Sequence, residues 1–209
     1  MLSLVIDTCL GACQAALANG PHVLVSASEP MQRGHQERLA PMTAEVLAEA
    51  GVRPAEIARI AVTIGPGSFT GLRVGLAFAK GLRFATGAEL TGIGTLPALA
   101  ADGGPRATGV IDARRGQVYL QAFEAGRALM APDVLPLPIA AARLAELGGG
   151  FDVVGPGAGL FAEFLGPDRV IEIAAPSLEA LIALAAKAEP AADLRPLYLR
   201  APDARPMAS

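Results

Sequence analysis

The tripeptide Val-Ile-Asp occurs twice, as Val5-Ile6-Asp7 and Val110-Ile111-Asp112, and each copy has a glycine four residues beyond its aspartate, Gly11 and Gly116. Farther along each half an apolar run enters Gly-Pro-Gly, at Gly65-Pro66-Gly67 and Gly155-Pro156-Gly157. A strand–Asp–turn and a strand–Gly-Pro-Gly–helix repeated in the same order point to two copies of one α/β unit. Two such units facing each other enclose a cleft in which both could hold a phosphate. The interruption Asp102-Gly103-Gly104-Pro105 marks the boundary. The expected lobes are residues 1–102 and 103–209, the second ending in an apolar helix that can pack back on the first.

Hydrophobic residues make up 52% of the 209, yet no uninterrupted apolar run approaches the roughly 20 residues of a membrane span. The start, Met1-Leu2-Ser3-Leu4-Val5-Ile6-Asp7, has no basic segment and meets an aspartate at once. That argues against a signal peptide and for a cytoplasmic location. Cys9 and Cys13, spaced C-x3-C without a second pair, read as reduced structural thiols. A net charge of −3, no Trp and two Tyr leave neither an electrostatic footprint nor a stacking platform for nucleic acid. RNA, if served, would be reached through a partner.

Residues 2–7 read as a buried strand, Gly11 as a turn, and Asn19-Gly20 as a tight hairpin between strands 14–19 and 22–28. A helix is expected over 34–50 and a strand over 60–64. Gly-Pro-Gly then leads into a helix running to about Thr86, with Ser68 as its N-cap. The second half repeats this loosely: strand 109–112, turn at Gly116, return strand 117–123, a Pro-rich link 132–138 and a short Ala-rich helix ending at Gly148. Strand 151–154 runs into the second Gly-Pro-Gly. A last helix starts at Ser177 and runs to about Glu189, where Pro190 stops it.

An aspartate ending a buried strand before a glycine turn can hold a metal–phosphate or orient a water, and Gly-Pro-Gly-Ser before a helix aims amides at an anion. The alternative is that both are tight α/β connections and nothing more. Dinucleotide and P-loop fingerprints both fail: Gly71 falls one residue late for G-x-G-x-x-G, and no Gly-Lys-Ser/Thr follows. The two histidines, His22 and His35, form no ligand pair, because Leu39 stands where a second helical His would be needed.

The helix 69–86 places Arg73, Lys80 and Arg83 in a narrow arc and is otherwise mostly apolar or glycine,. Gly71, Gly75 and Ala79 form a ridge of small residues that another helix could approach. One reading buries this helix within its own chain; the other pairs it with the helix over 35–50 in an intermolecular bundle.

Five segments occur in the order of a known family: Val5-Ile6-Asp7-Thr8, His35-Gln36-Glu37-Arg38-Leu39-Ala40-Pro41, Gly65-Pro66-Gly67-Ser68-Phe69-Thr70-Gly71-Leu72-Arg73, Asp112-Ala113-Arg114-Arg115-Gly116-Gln117-Val118-Tyr119 and Gly155-Pro156-Gly157-Ala158. With Pro196-Leu197-Tyr198-Leu199-Arg200 they resemble the TsaB (YeaZ) family, bacterial accessory subunits of tRNA threonylcarbamoyladenosine synthesis. The resemblance implies an actin/sugar-kinase-like (ASKHA) fold of two duplicated α/β lobes with mixed sheets flanked by helices. It implies a catalytic TsaD-like paralogue as partner, a TsaE-like ATPase, a homodimer when the paralogue is absent, and tRNA contact only through the complex. The modified base is the adenosine beside the anticodon of tRNAs reading codons that begin with A.

The H-x-x-x-H metal pair of TsaD-type proteins is reduced here to His35-x-x-x-Leu39, so neither a metal site nor catalysis is expected. Gln117 stands where the family commonly has an acidic residue. The resemblance also implies a vestigial nucleotide cleft at Asp7, Thr8, Gly65, Gly67, Ser68, Asp112, Gly155 and Gly157, with ATP bound weakly or used by the complex. It implies a partner face at Leu39, Met42, Val46, Leu72, Gly75, Leu76, Ala79 and Lys80. The alternative function is an independent ATP-dependent small-molecule kinase or ATPase using Asp7 and Asp112 across the cleft.

Overall fold

A computed structural model of the chain describes residues 1–200. Strands β1 (Leu2–Asp7), β2 (Ala12–Asn19), β3 (His22–Pro30), β4 (Arg59–Gly65) and β5 (Glu89–Gly94) form a first sheet in the order β3-β2-β1-β4-β5. The hairpins β1–β2 and β2–β3 are antiparallel, and β1–β4 and β4–β5 are parallel. Helices α1 (His35–Glu49) and α2 (Phe69–Thr86) supply the crossovers, and the short α3 (Thr95–Ala100) follows β5. The second sheet uses β6 (Arg106–Asp112), β7 (Gln117–Glu124), β8 (Arg127–Ala128), β9 (Asp133–Pro136), β10 (Asp152–Val154) and β11 (Val170–Ile171). It runs β11-β10-β6-β7-β8, with β9 also pairing β7. Around it lie α4 (Leu137–Glu146) and the single-turn α5 (Ala162–Leu165), and the chain continues into α6 (Leu178–Lys187).

Period-2 alternation buries both faces of the first sheet differently. Leu4, Ile6, Leu17, Ile60 and Val62 face α1 and α2. Val5, Ala16, Ala18 and Ala61 face α6, packing against Leu181, Ile182 and Ala185. The alanines on that side give α6 close access to the strands. In return α3, which ends the first half of the chain, lies on β6 and β7 of the second sheet. Each half thus lends a helix to the other half's sheet.

The halves match in detail. Gly65 and Gly155, which open the two Gly-Pro-Gly segments, have φ of +104° and +128°, conformations that side chains other than glycine rarely adopt. The closing glycines press on the chain just after the first strand of each half. A Cβ on Gly67 would lie 2.5 Å from the Cys9 carbonyl oxygen, and one on Gly157 would lie 2.7 Å from the Asp112 nitrogen.

Three sequence expectations change, and one unassigned stretch is filled. β5 and α3 occupy a stretch to which the sequence assigns no element, because Gly92 and Gly94 break the apolar run of β5. The Pro-rich link holds an edge strand, β9, and the first turn of α4, where Pro138 sits at the one helical end that tolerates it,. The second Gly-Pro-Gly leads into a 3-10 turn (Ala158–Phe161) and α5, not a long helix. The ridge Gly71, Gly75 and Ala79 seats α2 on its own sheet: a Cβ on Gly71 would lie 1.9 Å from the Thr8 carbonyl oxygen, and one on Gly75 2.7 Å from Thr8 Oγ1.

After α6 the chain returns over the first half. Ala191 N–H donates to the Leu90 carbonyl and Leu197 N–H to the Ile64 carbonyl, so residues 190–200 cover the edge of β5 and form a strap. Leu194 is buried in the first core. At the far end Arg200 donates to the Ala113 carbonyl at 3.0 Å and to the Gln117 side chain.

Candidate functional site

Two surfaces collect the residues singled out by sequence. The first is a cleft of about 530 Å³ between the halves, lined by Cys9, Gly11, Gly67 and Ser68 from one side and by Asp112, Arg114 and Tyr119 from the other. Of the expected cleft residues, the structure brings Gly67, Ser68 and Asp112 together there. Gly65, Gly155 and Gly157 serve the strand–loop contacts described above, and Asp7 and Thr8 lie fully buried beneath the cleft floor.

Asp7 is sealed by its neighbours. The parallel register that pairs Ile6 with Val62 brings Thr63 alongside Asp7, and Thr63 Oγ1 donates to Asp7 Oδ1 at 2.6 Å. The Cys9 amide donates to the same oxygen at 2.9 Å. Asp7 Oδ2 is buried without a hydrogen-bond partner. Burial pushes the carboxyl pKa up, and the hydrogen bonds from Thr63 and Cys9 and the charge of His35 pull it back only partly,. Burial, reinforced by the Asp7 charge, holds the Cys9 thiol well above the ordinary thiol range, so it stays protonated and unreactive,. Both cysteines are free and buried.

Thr8 caps the arrangement, donating from Oγ1 to the Gly71 carbonyl at 2.8 Å in the first turn of α2. Ser68 caps α2 itself by accepting from the Gly71 amide. Asp112 is only partly buried. It accepts from the Arg114 amide at 2.7 Å and pairs with the Arg114 guanidinium at 3.3 Å. The cleft therefore presents one carboxylate, already engaged, and not two facing each other. Among the described residues no three His, Cys, Asp or Glu side chains cluster as a metal site requires.

The second surface is the outer side of α1 and α2. The partner face expected from sequence lies on the wrong side of both helices: Leu39, Met42, Val46, Leu72, Leu76 and Ala79 belong to the chain's own core, with Gly75 buried beside them. Lys80 alone is exposed, and it pairs with Asp193 of the strap at 2.7 Å. Exposed on α2 are Thr70, Arg73, Ala77, Gly81 and Phe84, the last 95% exposed, while Val74 and Phe78 are half-buried against the first core. Ala40, Ala44 and Ala48 face outward on α1. A groove of about 550 Å³ runs between the helices, lined by Gln36, Phe69, Arg73, Val74, Ala77 and Phe78 with Leu39 at its floor.

A family model described as TsaD, tRNA N6-adenosine threonylcarbamoyltransferase, matches residues 28–149. The tRNA threonylcarbamoyladenosine biosynthesis protein TsaB of Escherichia coli is 32% identical over a match that covers 75% of this chain and 72% of that protein. The chain belongs to the TsaB (YeaZ) family. The solved structure of YeaZ from Pseudomonas aeruginosa superposes with a TM-score of 0.79 at 30% identity, covering 94% of this chain and 99% of the other. A distant structure, the ethanolamine utilization protein EutJ of Carboxydothermus hydrogenoformans, is 14% identical with a TM-score of 0.53 over 88% of each chain, and shares the fold alone. The duplicated mixed sheets flanked by helices are the actin/sugar-kinase-like fold that the sequence implied.

Sequence reasoning missed Thr63 and Cys9 as the partners of Asp7, and Phe69 and Phe84 as the exposed aromatics of α2. Only Phe84 left a signal: it lies on the arc opposite the Gly71–Gly75–Ala79 ridge, where a surface helix ordinarily carries charge.

Proposed function

We propose that this TsaB-family chain is a non-catalytic subunit in tRNA threonylcarbamoyladenosine synthesis and docks, through the outer face of α1 and α2, on a TsaD-like paralogue that performs the transfer. The observation that carries the reading is the apolar outer face itself. Phe84 and Ala77 are exposed on α2, with the half-buried Val74 and Phe78 and the alanines of α1 beside them, a surface that costs free energy while it faces water. The E. coli relative is named for this biosynthesis. In the absence of the paralogue the same face would pair with a second copy of this chain.

The chemistry of the cleft favours a non-catalytic role. A small-molecule kinase would need Asp7 and Asp112 to meet a substrate together, whereas Asp7 is buried and Asp112 is engaged by Arg114. Nucleotide hydrolysis then rests with a TsaE-like ATPase, and tRNA is reached through the complex, at the adenosine beside the anticodon of tRNAs reading codons that begin with A.

Ala77→Glu and Phe84→Glu place a carboxylate in the contact without touching the core, and are expected to weaken association with the paralogue by at least about 30-fold. Sedimentation of the folded variants with the cognate paralogue, alongside modification of tRNA in vitro, tests this. Variants that form the heterodimer and support modification as the parent does would overturn the docking face.

A further inference from the structure

At the cleft end of the docking groove α2 carries Phe69 and Arg73, one turn apart and so on the same side of the helix. The Arg73 guanidinium carbon lies 3.7 Å from the centre of the Phe69 ring. Its Nε donates to the Tyr198 hydroxyl at 3.4 Å, and the Tyr198 ring sits 5.8 Å from that of Phe69. Tyr198 is itself held on both sides, by Leu197 N–H on the Ile64 carbonyl and by Arg200 on the Ala113 carbonyl. The guanidinium is thus fixed in orientation by two aromatic side chains that both stay about half exposed.

Among the described residues no carboxylate answers its charge. The other cations of α2 turn to the strap, Lys80 to Asp193 and Arg83 to the Ala192 carbonyl. Among the described residues Arg73 meets no carboxylate, and it is the one charged residue lining the groove. An arginine stacked on an aromatic ring loses little freedom when it binds a planar anion, and its remaining N–H groups match the two oxygens of a carboxylate. Aromatic and arginine side chains of this kind are the residues in which binding energy concentrates.

Resting on the docking reading above, we infer that the Phe69–Arg73–Tyr198 cluster is the polar anchor of that face and receives an Asp or Glu carboxylate from the docked paralogue. The strap is then part of the interface, and the apolar stripe along α2 supplies the area around the anchor.

Calorimetric titration of the full chain with its cognate TsaD-like paralogue at two salt concentrations tests the inference. Arg73→Gln, Arg73→Lys, Tyr198→Phe and the groove variant Ala77→Glu are compared with the parent, and thermal unfolding of each isolated chain checks that it is folded. Arg73→Gln is expected to weaken binding about 10- to 100-fold and to flatten the salt dependence. Arg73→Lys is expected to recover only part of the loss, because an ammonium cannot offer the planar fork. Tyr198→Phe, which keeps the ring and loses the hydroxyl, should weaken binding by about threefold.

If Ala77→Glu abolishes association while Arg73→Gln stays within about twofold of the parent (the scatter of surface substitutions), the anchor is wrong and the docking face stands. If neither variant moves the affinity, both readings fall. If Arg73→Gln binds the paralogue normally but the assembled complex loses affinity for tRNA, the receptor serves an RNA phosphate, and the inference is overturned in that direction.

Discussion

Asp7 shows how one register decides what a residue can do. Sequence marks it as a candidate phosphate or metal contact, twinned with Asp112. The β1–β4 pairing brings it beside Thr63, and the first turn of α2 closes over the loop that follows, so its carboxylate is satisfied at one oxygen and orphaned at the other. A folded-state pKa raised by burial means that the native state binds the proton more tightly than the unfolded chain. The contribution of Asp7 is therefore most favourable below the pKa of an ordinary carboxyl and is lost as pH rises through the raised value. Asp7→Asn keeps the acceptor for Thr63 and Cys9 and removes the charge. It is expected to raise Tm at pH 8 by about 2–4 °C, the response to removing a buried charge, worth roughly 1 kcal/mol net of the amide's own unpaired N–H. The gain should shrink as pH falls toward 4. Thermal unfolding across that range checks it, and a parent chain that gains on Asp7→Asn with rising pH would mean a depressed pKa and overturn the raised one.

Among the elements α2 was the most legible and the most misread. Its length, its Ser68 cap and its heavily apolar surface follow from pattern, and the structure gives Phe69–Thr86 with Ser68 accepting from Gly71 N–H. Periodicity identifies a crowded face without saying what crowds it, because a sheet and a helix make the same demand for small residues. The Gly71–Gly75–Ala79 ridge meets Thr8 and Val62, and the docking surface proposed above lies away from it. The same blindness hid β5 and α3: a strand interrupted by Gly92 and Gly94 carries too short an apolar run to register, and its place is fixed by pairing with β4. Two glycine substitutions separate the faces of α2. Gly71→Ala forces a methyl onto the Thr8 carbonyl and should destabilise the chain by about 1–3 kcal/mol. Gly81, where a Cβ meets nothing within 4 Å, should gain about 0.5–1 kcal/mol on conversion to alanine. Urea denaturation of the isolated chains reads both signs.

At the scale of the whole molecule, the internal duplication and a last helix able to pack back on the first lobe are legible in the sequence, but the seating of α3 on the second sheet is not. Gly109 lies so close under α3 that a Cβ there would sit 2.0 Å from the Leu96 carbonyl oxygen. Ser177, the cap of α6, donates through its amide and hydroxyl to Asp102 at 2.8 and 2.5 Å. The Ser177–Asp102 contact joins residues 75 positions apart, beyond the reach of any local pattern. Such contacts also mean that neither half has a complete core alone. Residues 1–102 without α6 would expose Val5, Ala16, Ala18, Ala61 and Ile93 along one sheet face, a loss that a half-chain of that size cannot absorb when net stabilities are about 5–15 kcal/mol. The fragment 1–102 is therefore expected to be unfolded or aggregated. In the intact chain Leu181→Ala, a truncation in α6 at a fully buried position, should cost about 2–5 kcal/mol and lower the unfolding midpoint of both halves together. Hydrogen exchange at β1 and β6 under increasing urea distinguishes the cases. Coincident loss of protection follows from a shared core, whereas a first half that opens while β6 stays protected would mean that the lobes are energetically separate, and a docking face on α1 and α2 would then act on one lobe only.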